Sequence, residues 1–260
     1  MIVFILLVYT EEYFPKAWRE INFLAKNISH DYKIIVVNNN HNFTLDSAII
    51  GNNDHYEFSG WDSGVELIKE KYKDNLEHVV FANDTFCHHR KWNFYHKMKF
   101  ITGFKKFINQ NSFGICGEKN SFGKDFFLND TKLQGWISTY LFIVNSSFVL
   151  SENFKFNRAF ETMNYYIDDI SETGIVFNHI FDENLAKHLN LWLYPLDNKK
   201  GWYKAQSSTP RQKLSKLESI LNEKLLTQTI LKSNGKVYDI NMQSFFYMIK
   251  LIKSKFFGVS

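Results

Sequence analysis

Phe58–Phe86 reads FSGWDSGVELIKEKYKDNLEHVVFANDTF, a small-residue stretch (Ser59–Gly64), a helical run and then an apolar strand, His78–Ala82, that stops on Asn83-Asp84-Thr85. The strand has no polar interruption, as expected where both faces of a sheet are covered. A carboxylate at the carboxyl end of such a strand lies where α/β sheets bind their ligands. The small residues with Asp62 predict a turn that opens a helix over Asp62–Tyr72.

The same alternation runs outward from this stretch. Ile2–Tyr9 is a continuous β-branched and apolar run, and Tyr32–Val37 is another, ended by Asn38-Asn39-Asn40. Tyr13–Ile28 carries apolar residues at helical spacing, with Pro15 tolerated in the first turn. His55–Phe58 is expected as a short third strand, Lys91–Ile108 as a helix and Phe113–Gly117 as a further strand. This order predicts an α/β fold with a mainly parallel sheet and helices on both faces. Beyond Gly117 the pattern predicts strands at Phe126–Leu128 and Ile137–Val144, helices at Ala159–Tyr166 and Glu172–Leu189, and a late strand at Leu191–Leu196. Helices at Lys213–Leu231 and Ser244–Phe257 follow, the second amphipathic. The division expected is a body over 1–205 and a helical, basic extension over 206–260.

Composition bounds the possibilities. A chain of 260 residues, 45% hydrophobic and 17% aromatic, suffices for one substantial core. Cys87 and Cys116 have no metal-type spacing, which fits a reduced, cytoplasmic protein. The apolar start at Ile2 has no basic flank and no cleavage-type small residues before Glu11-Glu12, so it reads as a buried strand rather than a leader. The net charge is +4, but residues 211–260 hold nine Lys/Arg against three acids, which leaves the rest slightly acidic. A near-neutral body whose aromatics are not interleaved with basic residues argues against nucleic acid as partner. The basic, amphipathic 244–257 stretch has two readings, peripheral contact with the inner membrane and packing against protein.

The ordered motifs Tyr9-Thr10-Glu11, Asn38-Asn39, Asp62-Ser63-Gly64, Asn83-Asp84-Thr85, Gln134–Tyr140 and Asp168–Glu172 resemble those of GT-A nucleotide-sugar glycosyltransferases. The closer likeness is to the bacterial surface-polysaccharide enzymes related to rhamnan-synthesis transferases, over roughly the first 195 residues. The resemblance implies a GT-A sheet, a nucleoside-diphosphate sugar as donor and a glycan or polyprenyl-linked glycan as acceptor. It implies nucleotide contacts at Tyr9, Thr10, Asn38, Asn39 and Asp62, with Asn83 beside the acidic motif. Gln134 and Trp136 then line the sugar and acceptor pocket, and an acid near the acceptor, Glu172 first and Asp169 second, is the general base, which must come within roughly 2.6–3.2 Å of the hydroxyl it deprotonates. Asp84 is the expected ligand of Mg²⁺ or Mn²⁺, which with the diphosphate would offset the leaving-group charge. His88 and Arg90 are the expected contacts to phosphate or sugar.

This chain departs from the family in carrying Ala82 and Asn83 where the first acid of the paired motif stands, and Asn38 where many relatives carry Asp. Each position also has a plainer explanation: Asn83, Asp84, Thr85 and Asp62 are good helix caps, and acids such as Asp168, Asp169 and Glu172 are favoured at a helix start. Two other functions remain in view. One is a non-catalytic nucleotide-sugar-binding module of an assembly complex, consistent with the missing first acid. The other is a sugar nucleotidyltransferase, disfavoured because Tyr9–Glu12 supplies neither glycine nor a basic residue.

Overall fold

The computed structural model of the chain describes residues 1–196 and 201–243. The elements run β1 Ile2–Val8, α1 Phe14–Ile28, β2 Tyr32–Asn38, β3 Ile49–Ile50, α2 Tyr56–Lys71, β4 His78–Asn83, α3 Phe94–Asn109 and β5 Gly114–Asn120. They continue as β6 Phe126–Leu128, β7 Thr131–Leu133, β8 Trp136–Asn145, α4 Ser146–Val149, α5 Ala159–Tyr166, β9 Ile167–Ile170 and β10 Ile175–Phe177. The last are α6 Glu183–Leu193, α7 Pro210–Lys232, β11 Lys236–Asp239 and α8 Ile240–Gln243.

Seven strands form one sheet in the order β11-β5-β8-β4-β1-β2-β3. β1 pairs in parallel with β2 and β4, β2 with β3, and β11 with β5. β8 runs antiparallel to both its neighbours, β4 and β5, so it is the one reversed strand. The chain leaves β1 toward β2 and β3 on one side and returns to β4 on the other. The reversal of strand order therefore falls between β1 and β4, where open α/β sheets have their ligand crevice.

Every residue of β1 is buried, which accounts for its unbroken apolar run. Its odd residues, Val3, Ile5 and Leu7, meet Phe58, Trp61 and Val65 of α2 with Leu226 and Ile230 of α7. Its even residues, Phe4, Leu6 and Val8, meet Ile21 and Leu24 of α1 with Phe100 and Phe104 of α3. Helices thus cover both faces, as the alternation predicts. A third apolar cluster joins Trp136, Leu128 and Leu133 to α5, α6 and the first half of α7. Among the described residues no helix is long and apolar enough to cross a membrane.

Several sequence expectations change. Ser59–Gly64 is the interior of α2 and no turn, so Asp62 caps nothing. Its glycines are there for contact: a Cβ on Gly60 would lie 2.2 Å from Leu7 Cδ1, and one on Gly64 would lie 3.0 Å from Ile5 Cδ1. One turn apart on the same helical face, they let α2 lie directly on β1. The expected strand at His55–Phe58 is helix, and the edge strand is β3. The helix expected over Glu172–Leu189 is instead the β9–β10 hairpin followed by α6, which also absorbs the strand expected from Leu191. Residues 210–239, assigned from sequence to the extension, pack into the body: α7 enters the first and third clusters, and β11 extends the sheet. The Ser244–Phe257 helix lies outside the described residues.

Gly60→Val should force α2 away from β1 and cost about 1–3 kcal/mol or more. Gly174→Ala, whose added Cβ meets nothing closer than 3.4 Å, should cost much less. Urea unfolding of the two variants against the parent checks the difference.

Candidate functional site at the strand tips

The chain leaves β1 at Tyr9 and Thr10 and leaves β4 at Asp84, which opens a 3-10 turn over Asp84–Cys87. Asp84 reaches sideways to the neighbouring strand. Its Oδ2 accepts from the backbone N–H of Tyr9 at 2.8 Å and of Thr10 at 2.7 Å. The carboxyl-end crevice between β1 and β4 is therefore bridged by this chain's own carboxylate. Asp84 is only 3% exposed. Burial raises its pKa, and the amides of Thr10 and Tyr9, then the charges of His88 and His89, act in the opposite direction. A buried carboxylate with one oxygen shared by two amides is a clamp between strand ends, which corrects the expectation of an open ligand-binding acid. Both hydrogen bonds fall on Oδ2.

The tip of β2 is ordered in the same way. Asn38 Nδ2 donates to Phe43 O at 2.8 Å and its Oδ1 accepts from Asn40 N at 3.0 Å, so the amide shapes the Asn39–Phe43 loop. Asn39, 1% exposed, donates to Asn53 Oδ1 and to Tyr56 O. Asn40 Nδ2 donates to Tyr9 O at 2.8 Å, which ties this loop back to β1. Tyr9 itself remains half-exposed beside them. Asn83 Oδ1 accepts from Thr85 Oγ1 at 2.7 Å, a local turn contact.

The His88-His89-Arg90 segment is brought to the same end of the sheet. The His88 ring stacks on Tyr13 with centroids 4.1 Å apart, and His89 Nε2 lies 3.2 Å from Tyr13 Oη. Arg90 lies 4.0 Å above the Tyr140 ring and donates from Nη1 to Glu118 Oε2 at 2.8 Å. Glu118 also accepts from Tyr140 Oη at 2.7 Å and pairs with Lys99 Nζ at 3.4 Å. Burial works against the Glu118 carboxylate, but the hydrogen bond from Tyr140 and the charges of Lys99 and Arg90 outweigh it and hold its pKa below the usual value. Arg90 is thus a permanently charged, partly exposed guanidinium, fixed in place by an aromatic face and a carboxylate that stays ionised. The sequence reading passed over Glu118. The signal was present, an acid just past the Ile115–Gly117 apolar run, and the same strand-end logic picked out Asp84.

Five other expected positions are not gathered here. Asp62 accepts from Phe156 N at 2.7 Å and Asn157 N at 3.1 Å, tying α2 to the segment before α5. Trp136 is buried beneath Lys224, whose Nζ lies 3.7 Å from its ring, and donates from Nε1 to Glu223 Oε2 at 2.8 Å. It offers no free face to a sugar. Gln134 is exposed in a shallow cleft shared with Lys119 and Lys236. Asp169 lies exposed on β9, and Glu172 in the turn of the same hairpin, which packs on the third cluster. Among the described residues neither bonds to any residue of the strand tips.

The donor set does not suit a resident divalent cation. Among the described residues no three His, Cys, Asp or Glu side chains are grouped to hold one. Asp84 has one oxygen committed, and His88 and His89 are engaged with Tyr13. Fixed positive charge near the tips comes from Arg90 and from Lys16, whose Nζ donates to Cys87 O at 2.6 Å. Protein-family models, curated proteins and solved structures were each compared with the chain, and none matches it.

Asp84→Ala would leave two part-buried amides without an acceptor and should cost about 2 kcal/mol. Asp84→Asn retains an acceptor oxygen and should cost clearly less. Equal losses in thermal or urea unfolding would remove the clamp from the account.

Proposed function

We propose that the protein is a glycosyltransferase of GT-A type that takes its sugar from a nucleoside-diphosphate donor seated at the strand tips. The observation that carries the reading is the position of Asp84, bridging β1 and β4 where the strand order reverses. Three of the six stretches in which the sequence resembles such enzymes, Tyr9-Thr10, Asn38-Asn39 and Asn83-Asp84, meet at this one place. The half-exposed Tyr9 ring suits a base or a sugar face.

Sugar transfer breaks the anomeric carbon–oxygen bond and leaves negative charge on the departing diphosphate. Fixed cations at that position stabilise the transition state without reorganising. Arg90 fits this role, since Tyr140 and Glu118 hold it before any ligand arrives. Asp84 positions the first loop. Asp169 and Glu172 have no part in this reading, nor does a metal-bridged diphosphate. The acceptor belongs to the same proposal: a glycan or lipid-linked glycan of a cell-surface polysaccharide.

A second reading, a donor-binding module without turnover, keeps the same site and is favoured by one observation: Ala82 and Asn83 stand where the paired motif has its first acid.

Screening UDP-, GDP-, CDP- and dTDP-sugars by thermal stabilisation should find at least one that raises the melting temperature, since ligands stabilise in proportion to the logarithm of their excess over Kd. With that donor and a matching acceptor, release of nucleoside diphosphate should fall about 10²-fold in Arg90→Gln and should persist in the presence of a chelator. Stabilisation without release would select the binding module. No stabilisation by any donor would overturn both readings.

A further inference from the structure

A cleft of about 920 Å³ lies away from Asp84 and Arg90 and is lined by residues of the Glu152–Arg158 segment, α5 and the second half of α7. Three of its side chains are cationic, Lys155, Arg158 and Lys232, and among the described residues Glu152 is the carboxylate that faces them. None of the three cations is in an ion pair among the described residues. Arg158 is half-buried, and its two hydrogen bonds go to neutral oxygens, Thr229 Oγ1 at 3.3 Å and Asn153 O.

The segment that carries these cations is held from beneath. Four consecutive amides, Phe156 to Ala159, are fixed by two side chains. Asp62 takes the first two, and Asn222 Oδ1 takes Arg158 N at 2.8 Å and Ala159 N at 2.7 Å. Asn222 is fully buried, and its Nδ2 donates back to Asn157 Oδ1 at 3.2 Å. A loop ordered this completely keeps two positive charges over a cleft at little entropic cost on binding.

We infer that this cleft binds an anionic oligosaccharide, a chain of sugars bearing carboxylates. Three cations outside any ion pair, facing Glu152 and with Asp62 near Lys155, supply the charge preference. The remaining lining is mostly amide and hydroxyl side chains, suited to sugar hydroxyls, and its volume is at the upper end of the roughly 300–1,000 Å³ of small-molecule sites. Among the described residues it has no Phe, Tyr or Trp in its lining, His55 being its one ring, which disfavours nucleic acid, whose single strands bind by stacking successive bases on aromatic faces. The inference does not depend on what the strand tips do.

Calorimetric titration of the full chain with hexagalacturonate and with maltohexaose tests it. The uronate should bind and the neutral hexamer should not. Lys155→Glu with Lys232→Glu, both exposed, should weaken uronate binding about tenfold or more. Lys105→Glu with Lys106→Glu on α3, across the sheet, should leave it unchanged. Failure of the uronate to bind, binding indifferent to the cleft variant, or tighter binding of a single-stranded oligonucleotide of equal charge would overturn the assignment.

Discussion

The amides of Tyr9 and Thr10 both donate to one oxygen of Asp84. That shared acceptor fixes the gap between the two central strand ends, and the other tip contacts are built around it. Asn40 holds Tyr9 from the β2 side, and the turn that begins with Asp84 delivers His88 and His89 to Tyr13. The next residue is Arg90, which the Tyr140 ring and Glu118 receive. A buried carboxylate is costly unless its oxygens are satisfied, and amides at a strand end need acceptors. Each group offsets the other's cost.

The same device recurs across the molecule. Asp62 and Asn222 fix the segment before α5. Glu223 of α7 accepts from Thr139 N at 2.8 Å and from the Trp136 indole, and Asn145 takes Gly114 N at 2.6 Å. Asp62 and Asn222 tie irregular backbone to helices, while Glu223 joins α7 to β8 and Asn145 joins β8 to β5. Sites for small ligands need this rigidity, because binding energy otherwise goes into ordering the loop.

How much was legible from sequence follows from what each element is buried against. β1, β2 and β4 could be read because strands covered on both faces are apolar at every position. α1 and α5 declared themselves by helical spacing. α2 misled because Gly60 and Gly64, which usually mark turns, serve here as flat contacts on β1. Asp168–Glu172 looked like a helix start because acids are favoured there. Tertiary pairing makes a hairpin of it, and the general-base assignment built on that helix loses its footing. β11 has four residues and depends on β5, from which it is distant in sequence, so no local signal marks it. At the site, Asp84 was picked out by the strand-end rule and Arg90 by its place just after the acidic motif. Local sequence could not show that Asp84 would face β1's amides, or that Trp136 would be sealed beneath Lys224.

The account turns on whether a nucleoside diphosphate occupies the crevice bridged by Asp84. Amide-resolved NMR during titration with UDP, GDP, CDP and dTDP addresses this directly. The account predicts that one of them shifts the resonances of Tyr9, Thr10, Asn39, Asn40 and the Asn83–Arg90 segment at low concentration and leaves the β9–β10 hairpin unmoved. Shifts confined to other surfaces, or none with any of the four, would contradict it.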